Sequence, residues 1–334
     1  MDQSDFDCAR GIARQAGFLG CLVENYEPSA WAADLIDPAR ATDDPRLVSS
    51  SAIASMCCML GRLDEALEYA NICRTACSTA LLRSRSASSR AGWPLYTYLS
   101  AISKSMSVCI AASLHAAVTS TNSIGYPSLR HCRPSTAKRK RERSRPDFVE
   151  AGEATRNPYI LSLALLADGV ARLDTDASLA REEIDRGLVI ASESGNRANE
   201  TYLAMALTNA LDLDGAEPGD LLTALDNITL AIRHYYDSGN STHLRNAEGQ
   251  LAVFLERRGH YEPGAITLGF ACVGPSPAPT VSGLDTAMAH LGDALGDRAY
   301  SSFVGKGEAM TTADAVAYAY DQIDQVRSEL EKSR

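Results

Sequence analysis

Acidic side chains are almost absent from one part of this chain. Residues 78–146 contain twelve Lys or Arg and a single acid, Glu142, whereas the remainder contains 20 Lys or Arg and 41 Asp or Glu. The whole chain is acidic, with a formal net charge of −10. One folded domain rarely divides its charge in this way. The composition therefore separates two acidic flanks from a basic middle segment.

Long hydrophobic runs are missing as well. No stretch reaches the roughly 18 uncharged apolar residues that a membrane-spanning helix needs, and residues 1–5, MDQSD, lack the basic and apolar regions of a signal peptide. We therefore expect a cytoplasmic protein without a membrane partner. The acidic flanks also argue against nucleic acid as the main partner.

Motifs for nucleotide or metal chemistry are not found. GxGxxG, HExxH and GxSxG are absent, and the residues around Lys306 lack the spacing of a phosphate-binding loop. His260 and His290 are expected at helix ends, in contact with solvent. Asp212 and Asp214 lie in an acidic turn whose oxygen pattern is too sparse for calcium. We therefore expect no catalytic, cofactor-binding or metal-binding residues, and no cofactor.

The nine cysteines include no CxxC pair. Cys57 and Cys58 are adjacent, and Cys73 and Cys77 lie four residues apart on one predicted helix. We expect the cysteines to be reduced and mostly buried as small apolar residues. Neighbouring side chains on a helix point in different directions, so Cys57 and Cys58 are not expected to serve one core.

The flanks repeat a unit made of a turn, a helix, a second turn and a second helix. ATDDPRL at 41–47 returns as ATRNPYI at 154–160, and a polar cap before Pro favours a helix start. Helical apolar runs follow at 49–60 and 161–170. GRLDEAL at 61–67 is repeated more loosely as ARLD at 171–174; its Gly suits a helix end, and its acids suit the start of the next helix.

Two further units use the turn Ser-Gly-Asn, at 194–196 and 238–240, to close helices predicted over 184–191 and 221–235. ERRGHYE at 256–262 supplies another turn, 272–283 is predicted to be a loop, and Thr311 with Asp314 resembles a capping box for a final helix. Tyr235, Tyr236, Tyr318 and Tyr320 are interpreted as packing residues, of which exposed ones would line a partner groove.

Helical spacing of apolar residues and little sign of strands predict an all-α fold. Periods near 40 residues with two helices each predict an α-solenoid of tetratricopeptide-like helix pairs. An irregular helical bundle with chance similarity between turns is the alternative. The expected division is 1–77 for N-terminal repeats, 78–148 for a basic irregular or disordered segment, and 149–334 for C-terminal repeats.

The middle segment lacks the turns that the period requires near residues 82 and 120. It holds fifteen Ser and clustered Arg, and only 106–118 is apolar enough for a short helix. Three interpretations stay open: a basic loop, a nucleic-acid-binding or nuclear-localisation tract at 138–145, and a stretch translated out of frame between two compensating shifts. The third accounts for the abrupt loss of acids and for the repeat pattern that resumes afterwards.

Several runs resemble a known family. YEPSAWA at 26–32, EATRNPY at 153–159, RGLVIA at 186–191, RGHYEP at 258–263 and GEAMTTA at 307–313 are similar to the C-terminal helical repeats of large actinobacterial, especially mycobacterial, signalling regulators. Members carry a class III adenylate cyclase domain and an ATPase module before the repeats, and related regulators end in a LuxR-type DNA-binding motif. The resemblance covers 22–77 and 149–334, and 78–146 departs from it.

The resemblance implies a fragment or remnant without the family's catalytic residues. Our leading hypothesis is a non-enzymatic interaction or sensor module with a protein partner or regulatory domain, and a small-molecule effector is compatible with it. The alternatives are a DNA-binding regulator that uses the basic segment and the product of a pseudogene without function.

Overall fold

The computed structural model describes residues 3–42, 44, 47–86, 148–173, 175–211, 216–273 and 281–332. Within these ranges the chain is mostly helical and has no strand, which confirms the all-α prediction. No helix in the described ranges is both long and apolar enough to cross a membrane. The predicted segment 78–148 lies largely outside the description, so the three-part division stays a prediction.

The N-terminal helices are short except for the first and the last of them. They are α1 (Gln3–Val23), α2 (Glu27–Asp34), α3 (Ile36–Ala41), α4 (Leu47–Ala54), a 3-10 helix (Ser55–Leu60) and α5 (Leu63–Ser86). Gly61 ends the 3-10 helix with a left-handed φ of 78°, and Asp64 and Glu65 lie in the first turn of α5, as predicted. Helix α5 continues past the boundary placed at residue 77.

The single helix expected over 49–60 is not observed. Helix α4 ends at Ala54, and the chain tightens into the 3-10 helix before Gly61. Serine hydroxyls contribute to this change, since Ser51 Oγ donates to the Leu47 carbonyl and Ser55 Oγ donates to the Ala52 carbonyl. Such side-chain bonds compete with the regular helix ladder, and 3-10 turns are frequent at helix ends.

Ten helices are described after residue 147. They are α6 (Phe148–Ala154), α7 (Pro158–Arg172), α8 (Ala177–Glu193), α9 (Arg197–Leu211), α10 (Pro218–Asp237), α11 (Ser241–Arg257), α12 (Tyr261–Ala271), α13 (Leu284–Leu295), α14 (Asp297–Glu308) and α15 (Thr312–Lys332). Helix α8 is longer than the predicted 184–191. We call α7, α9 and α11 the first helices, and α8 and α10 the second helices.

Predicted caps and turns explain where these helices begin and end. Asn157 caps α7 by accepting a bond from the Tyr159 N–H, with Pro158 as the first helical residue. Gly195, Gly239 and Gly259 all have left-handed φ values, between 68° and 79°. A residue without a side chain adopts this backbone conformation at little cost. The predicted Ser-Gly-Asn and Arg-Gly-His turns are therefore confirmed.

The capping box predicted for the last helix differs in one bond. Thr311 Oγ1 accepts a bond from the Asp314 N–H at 3.2 Å and donates to Asp314 Oδ2 at 2.6 Å. In a full capping box the acidic side chain instead accepts from the backbone N–H of the cap residue. The shorter Asp side chain bonds the hydroxyl of the cap, and α15 begins at Thr312.

The chain divides into two compact units. Unit 1 comprises residues 1–122 and 238–243, and unit 2 comprises 123–237 and 244–334. In unit 1, α1 packs on α2 and α4, and α4 packs on α5. In unit 2, α7 contacts α8 and α9, α9 contacts α10, and α12 contacts α13, α14 and α15. The largest core of unit 2 unites residues of α8, α9, α10, α11 and α15.

Two glycines bring α12 and α14 of unit 2 into backbone contact. A Cβ atom placed on Gly307 would lie 1.9 Å from the Ile266 carbonyl oxygen, and one placed on Gly269 would lie 2.2 Å from the Val304 carbonyl oxygen. Real Cβ contacts are never this short. The two helices can therefore cross at this distance only where both positions lack a side chain.

Candidate interaction surface

The two histidines considered from sequence lie in different settings. His260 is the residue before α12, and its Nε2 is 3.1 Å from Glu329 on α15. His290 lies within α13 and not at a helix end, which corrects the prediction. Its Nδ1 contacts the carboxylate of Glu256, and its ring meets that of Tyr261 edge-on at 5.5 Å. His260 thus joins the start of α12 to α15, and His290 joins α13 to α11 and α12.

Lys306 lies within helix α14 rather than in a phosphate-binding loop. Its Nζ is 3.9 Å from Glu262 and 4.7 Å from the centre of the Phe303 ring. The neighbouring Gly307 contacts α12. This segment is thus part of a helix crossing, and its backbone N–H groups follow the arrangement of a helix and not that of a phosphate-binding loop.

The cysteines of unit 1 differ from expectation in one respect. Cys57 and Cys58 are both buried in one cluster with Tyr26, Met56 and Met59. The prediction that adjacent cysteines cannot share a core was wrong, because the 3-10 helix that carries them is enclosed by α2, α4 and α5. Burial raises the pKa of the Cys57 thiol to about 11.

The cysteines that can be described carry reduced thiols and differ in exposure; they are Cys8, Cys57, Cys58, Cys73 and Cys272. Cys8 is exposed, and Cys73 and Cys272 are half-buried, so burial is less general than expected. Across the described residues, no three His, Cys, Asp or Glu side chains are grouped as metal ligands would be. The acidic turn with Asp212 and Asp214 lies outside the described residues.

The four tyrosines divide between core and surface. Tyr235 is fully packed in the main core of unit 2, whereas Tyr236 is exposed. Tyr318 and Tyr320 are half-buried on α15, and burial raises the pKa of Tyr318 to about 12. Tyr320 packs against the main core. Tyr235 is therefore a packing residue, as interpreted from sequence, and Tyr236 is available at the surface.

The first helices of unit 2 are tied together by side-chain amides. Asn199 Nδ2 on α9 donates to the Tyr159 carbonyl at 3.1 Å and to Ser162 Oγ at 2.8 Å, both on α7. Gln250 Nε2 on α11 donates to the Met205 carbonyl at 3.1 Å and to Asn209 at 2.9 Å, both on α9. These bonds fix neighbouring first helices in register.

A buried histidine ties a first helix to a second helix. His234 Nδ1 on α10 lies 3.0 Å from Thr201 Oγ1 on α9. Burial, aided by the charge of Arg197, lowers the pKa of His234. The lowered pKa favours the neutral ring, and because the Thr201 hydroxyl donates to the Arg197 carbonyl at 2.7 Å, its oxygen can accept a hydrogen bond from a protonated Nδ1. This contact is structural and does not reach the surface.

The second helices present charge to solvent. Arg181 on α8 pairs with Asp220 on α10 at 2.8 Å, and Arg186 on α8 pairs with Glu153 on α6 at 2.5 Å. Burial raises the pKa of Asp185, which lies 3.9 Å from Arg181. Exposed pairs of this kind contribute about 0–1 kcal/mol each. This face is therefore solvated and carries both signs of charge.

The exposed side of the first helix α7 carries no charge over three turns. Ile160, Leu163 and Val170 are each more than a third exposed, and Ala167 lies between them in the same row. Their spacing places them on one side of the helix. The first-helix face, defined by these four residues, is thus an apolar stripe.

Comparison with protein-family models, with curated proteins and with solved structures finds no match.

Sequence reasoning missed the polar residues inside unit 2. Asn199, Gln250 and Glu248 occupy positions between apolar residues of α9 and α11, and all three are buried. The available signal was a polar residue inside an otherwise apolar helical row, which often marks a buried hydrogen bond. The partner of each could not be found from spacing alone, since it lies on another helix.

Proposed function

We propose that this chain is a non-catalytic helical-repeat interaction module, whose helix pairs stack as a tetratricopeptide-like solenoid. The sequence in which helices of unit 2 pack on one another supports this proposal, because α7 packs on α8 and α9, and α9 packs on α10. The amide ties between first helices span 40 and 45 residues, close to the repeat length expected from sequence. Stacked pairs present extended surfaces suited to binding.

The first-helix face supplies the partner site in this proposal, and its chemistry carries the assignment. It combines exposed aliphatic side chains with an absence of charge, while α8 shows a charged outer side. Exposed apolar patches rimmed by polar residues mark protein-binding surfaces. The partner is thus a protein segment or regulatory domain that supplies apolar side chains, in a cytoplasmic regulator of the cyclase and ATPase type that the sequence resembles.

We predict that the purified full chain neither makes cyclic AMP nor hydrolyses ATP. Cyclase and ATPase chemistry needs metal-binding carboxylates or a phosphate loop, and the sequence supplies no such motif. Product formation with ATP and Mg²⁺ or Mn²⁺ should equal that of a mock purification. Reproducible turnover above that background, lost on heat denaturation, would overturn the non-catalytic assignment.

We predict that a photo-reactive benzoylphenylalanine at position 163 captures a protein partner in cells, whereas the same residue at position 189 does not. Leu163 is 37% exposed on α7, and Val189 is 56% exposed on α8, so the two sites match in chemistry and differ in face. The captured protein, identified by mass spectrometry, should bind the purified chain. Leu163→Arg should weaken that binding at least about tenfold, because the partner would have to remove the charged Arg side chain from water.

Two outcomes decide against this surface. Equal weakening by Val189→Arg would show that the binding site is not on the first-helix face. A separate binding experiment tests the basic segment 138–145, with a DNA duplex as the probe. Affinity that falls steeply with salt and disappears when 138–145 is made neutral would favour the DNA-binding alternative.

A further inference from the structure

The apolar interior of unit 2 contains a carboxyl group that is incompletely bonded. Glu248 on α11 is 1% exposed, and its Oε1 accepts no hydrogen bond from the described residues. Leu244 and Leu251, which flank it at helical spacing, belong to the core that α11 shares with α10 and α15. Glu248 therefore shares the helix side that faces this core.

Among the described residues, no cation offsets the charge of the Glu248 carboxylate. On α15, burial raises the pKa of the Tyr320 phenol, and the charge of Glu248 adds a smaller contribution in the same direction. At the end of α10, Arg233, Tyr236 and Asp237 also act on Tyr320. These α10 groups are exposed to solvent, so their effect at the buried carboxyl is weak.

On its own helix, Glu248 has a basic neighbour that points elsewhere. Arg245 lies over the ring of Phe270 at 5.4 Å, on the side of α12. Burial alone raises the pKa of Glu248 to about 8. The carboxyl thus carries its proton at neutral pH while the surrounding helices are packed.

Helix α15 contributes to the same core as the residues that flank Glu248. Its buried apolar row consists of Val316, Ala319, Ile323 and Val326. Near its C-terminal end, Arg327 pairs with Asp226 at 2.8 Å, and Glu329 meets His260 at 3.1 Å. Both contacts are partly solvated and therefore weak. The packing of α15 thus depends mainly on this apolar row and on the core that it shares with Leu244 and Leu251, the residues that flank Glu248.

We propose that α15 is a strap whose seating on unit 2 depends on the proton carried by Glu248, so that loss of this proton releases the strap. The proton leaves the carboxyl for water, and no other bond changes. A carboxylate cannot remain buried without a positive partner, because its hydration is lost. Release lets water reach Glu248 and uncovers the apolar residues of α11. The regulated feature is access to this core surface, independent of the first-helix face.

The direction of the effect follows from proton linkage. With α15 seated, Glu248 titrates near pH 8, and with α15 released it returns towards the ordinary value of 4.5. The seated state therefore binds more protons between these values, and the strap loosens as pH rises. The opening equilibrium should increase by about tenfold for each pH unit between pH 6 and 7.5.

Hydrogen exchange of the full chain tests this directly. The protection factors of α15 amides, corrected for the intrinsic pH dependence of exchange, should fall by about 20-fold or more from pH 6 to 7.5. Those of α12 should change much less, because α12 is held by α13 and α14 as well. In Glu248→Gln and Glu248→Leu, α15 should keep the same protection at both pH values.

Two control variants separate the proton from the other contacts of the strap. Asp226→Asn and His260→Gln remove the contacts of Arg327 and Glu329, so both should lower α15 protection while keeping its pH dependence. Unchanged α15 protection in the wild type, or an equal fall in α12, would overturn the proposal. A pH dependence of α15 protection that persists in the Glu248 variants would also overturn it. The pH dependence of amide protection in wild-type α15, compared with that in α12, tests the proposal even if both Glu248 variants fail to fold.

Discussion

Gly307→Ala is expected to destabilise unit 2 by roughly 3 kcal/mol or more. The new methyl group would lie 1.9 Å from the Ile266 carbonyl oxygen and 2.9 Å from the Phe270 nitrogen, both backbone atoms of α12. Backbone cannot move aside as a side-chain tip can, so α12 and α14 must separate and lose packing. Urea unfolding followed by circular dichroism at 222 nm should show a lower midpoint.

Gly305→Ala is the matched control on the same helix. A Cβ atom there meets nothing within 4 Å, and the position is exposed. Alanine should therefore stabilise α14 by roughly 0.5–1 kcal/mol through its higher helix propensity. Gly269→Ala should resemble Gly307→Ala, because its Cβ would lie 2.2 Å from the Val304 carbonyl oxygen. Similar unfolding midpoints for the 305 and 307 variants would contradict the close crossing.

Arg10→Ala is expected to destabilise unit 1 by about 3–5 kcal/mol. The Arg10 side chain is 3% exposed and contacts the carboxylates of Asp7 and Asp44, and the Asp44 side chain is nearly as buried. Its guanidinium also lies 4.3 Å from the centre of the Phe6 ring. Removal of the cation takes away the charge that Arg10 supplies to the buried Asp44 carboxylate. Thermal unfolding followed by circular dichroism should show the loss.

The control for this prediction is Arg40→Ala. Arg40 contacts Asp37 at 3.4 Å, but the two side chains are 53% and 90% exposed. An exposed pair contributes about 0.5 kcal/mol, so the variant should unfold almost as the wild type does. Equal losses in the Arg10 and Arg40 variants would show that burial does not set the strength of the contact. Arg10→Met, which retains volume without charge, separates lost packing from lost charge.

Local chemistry made much of the helical pattern predictable. Asn157 before Pro158, the glycines at 61, 195, 239 and 259, and Thr311 before α15 all act within a few residues of themselves. A cap or a left-handed glycine leaves its mark in the sequence because its bonding partner is close in the chain. The helix starts and ends set by these residues therefore agree with the structure.

Contacts between distant helices could not be predicted in this way. Gly307 resembles any helix glycine until Ile266 is placed beside it, and Glu248 resembles a surface acid until the fold buries it. The shared burial of Cys57 and Cys58 likewise depends on helices on several sides of a 3-10 turn. Each feature is set by what approaches the residue in space, and spacing along one helix carries no record of that.

The amide ties between first helices imply an unequal tolerance to mutation. Asn199 and Gln250 each donate a bond to a main-chain carbonyl, that of Tyr159 or that of Met205. A main-chain carbonyl is supplied by any amino acid, so positions 159 and 205 can vary without losing the acceptor. The donor positions have no such freedom, because few side chains reach as far with an N–H group. Substitutions in this protein should thus accumulate at positions 159 and 205, while the donors at 199 and 250 stay fixed.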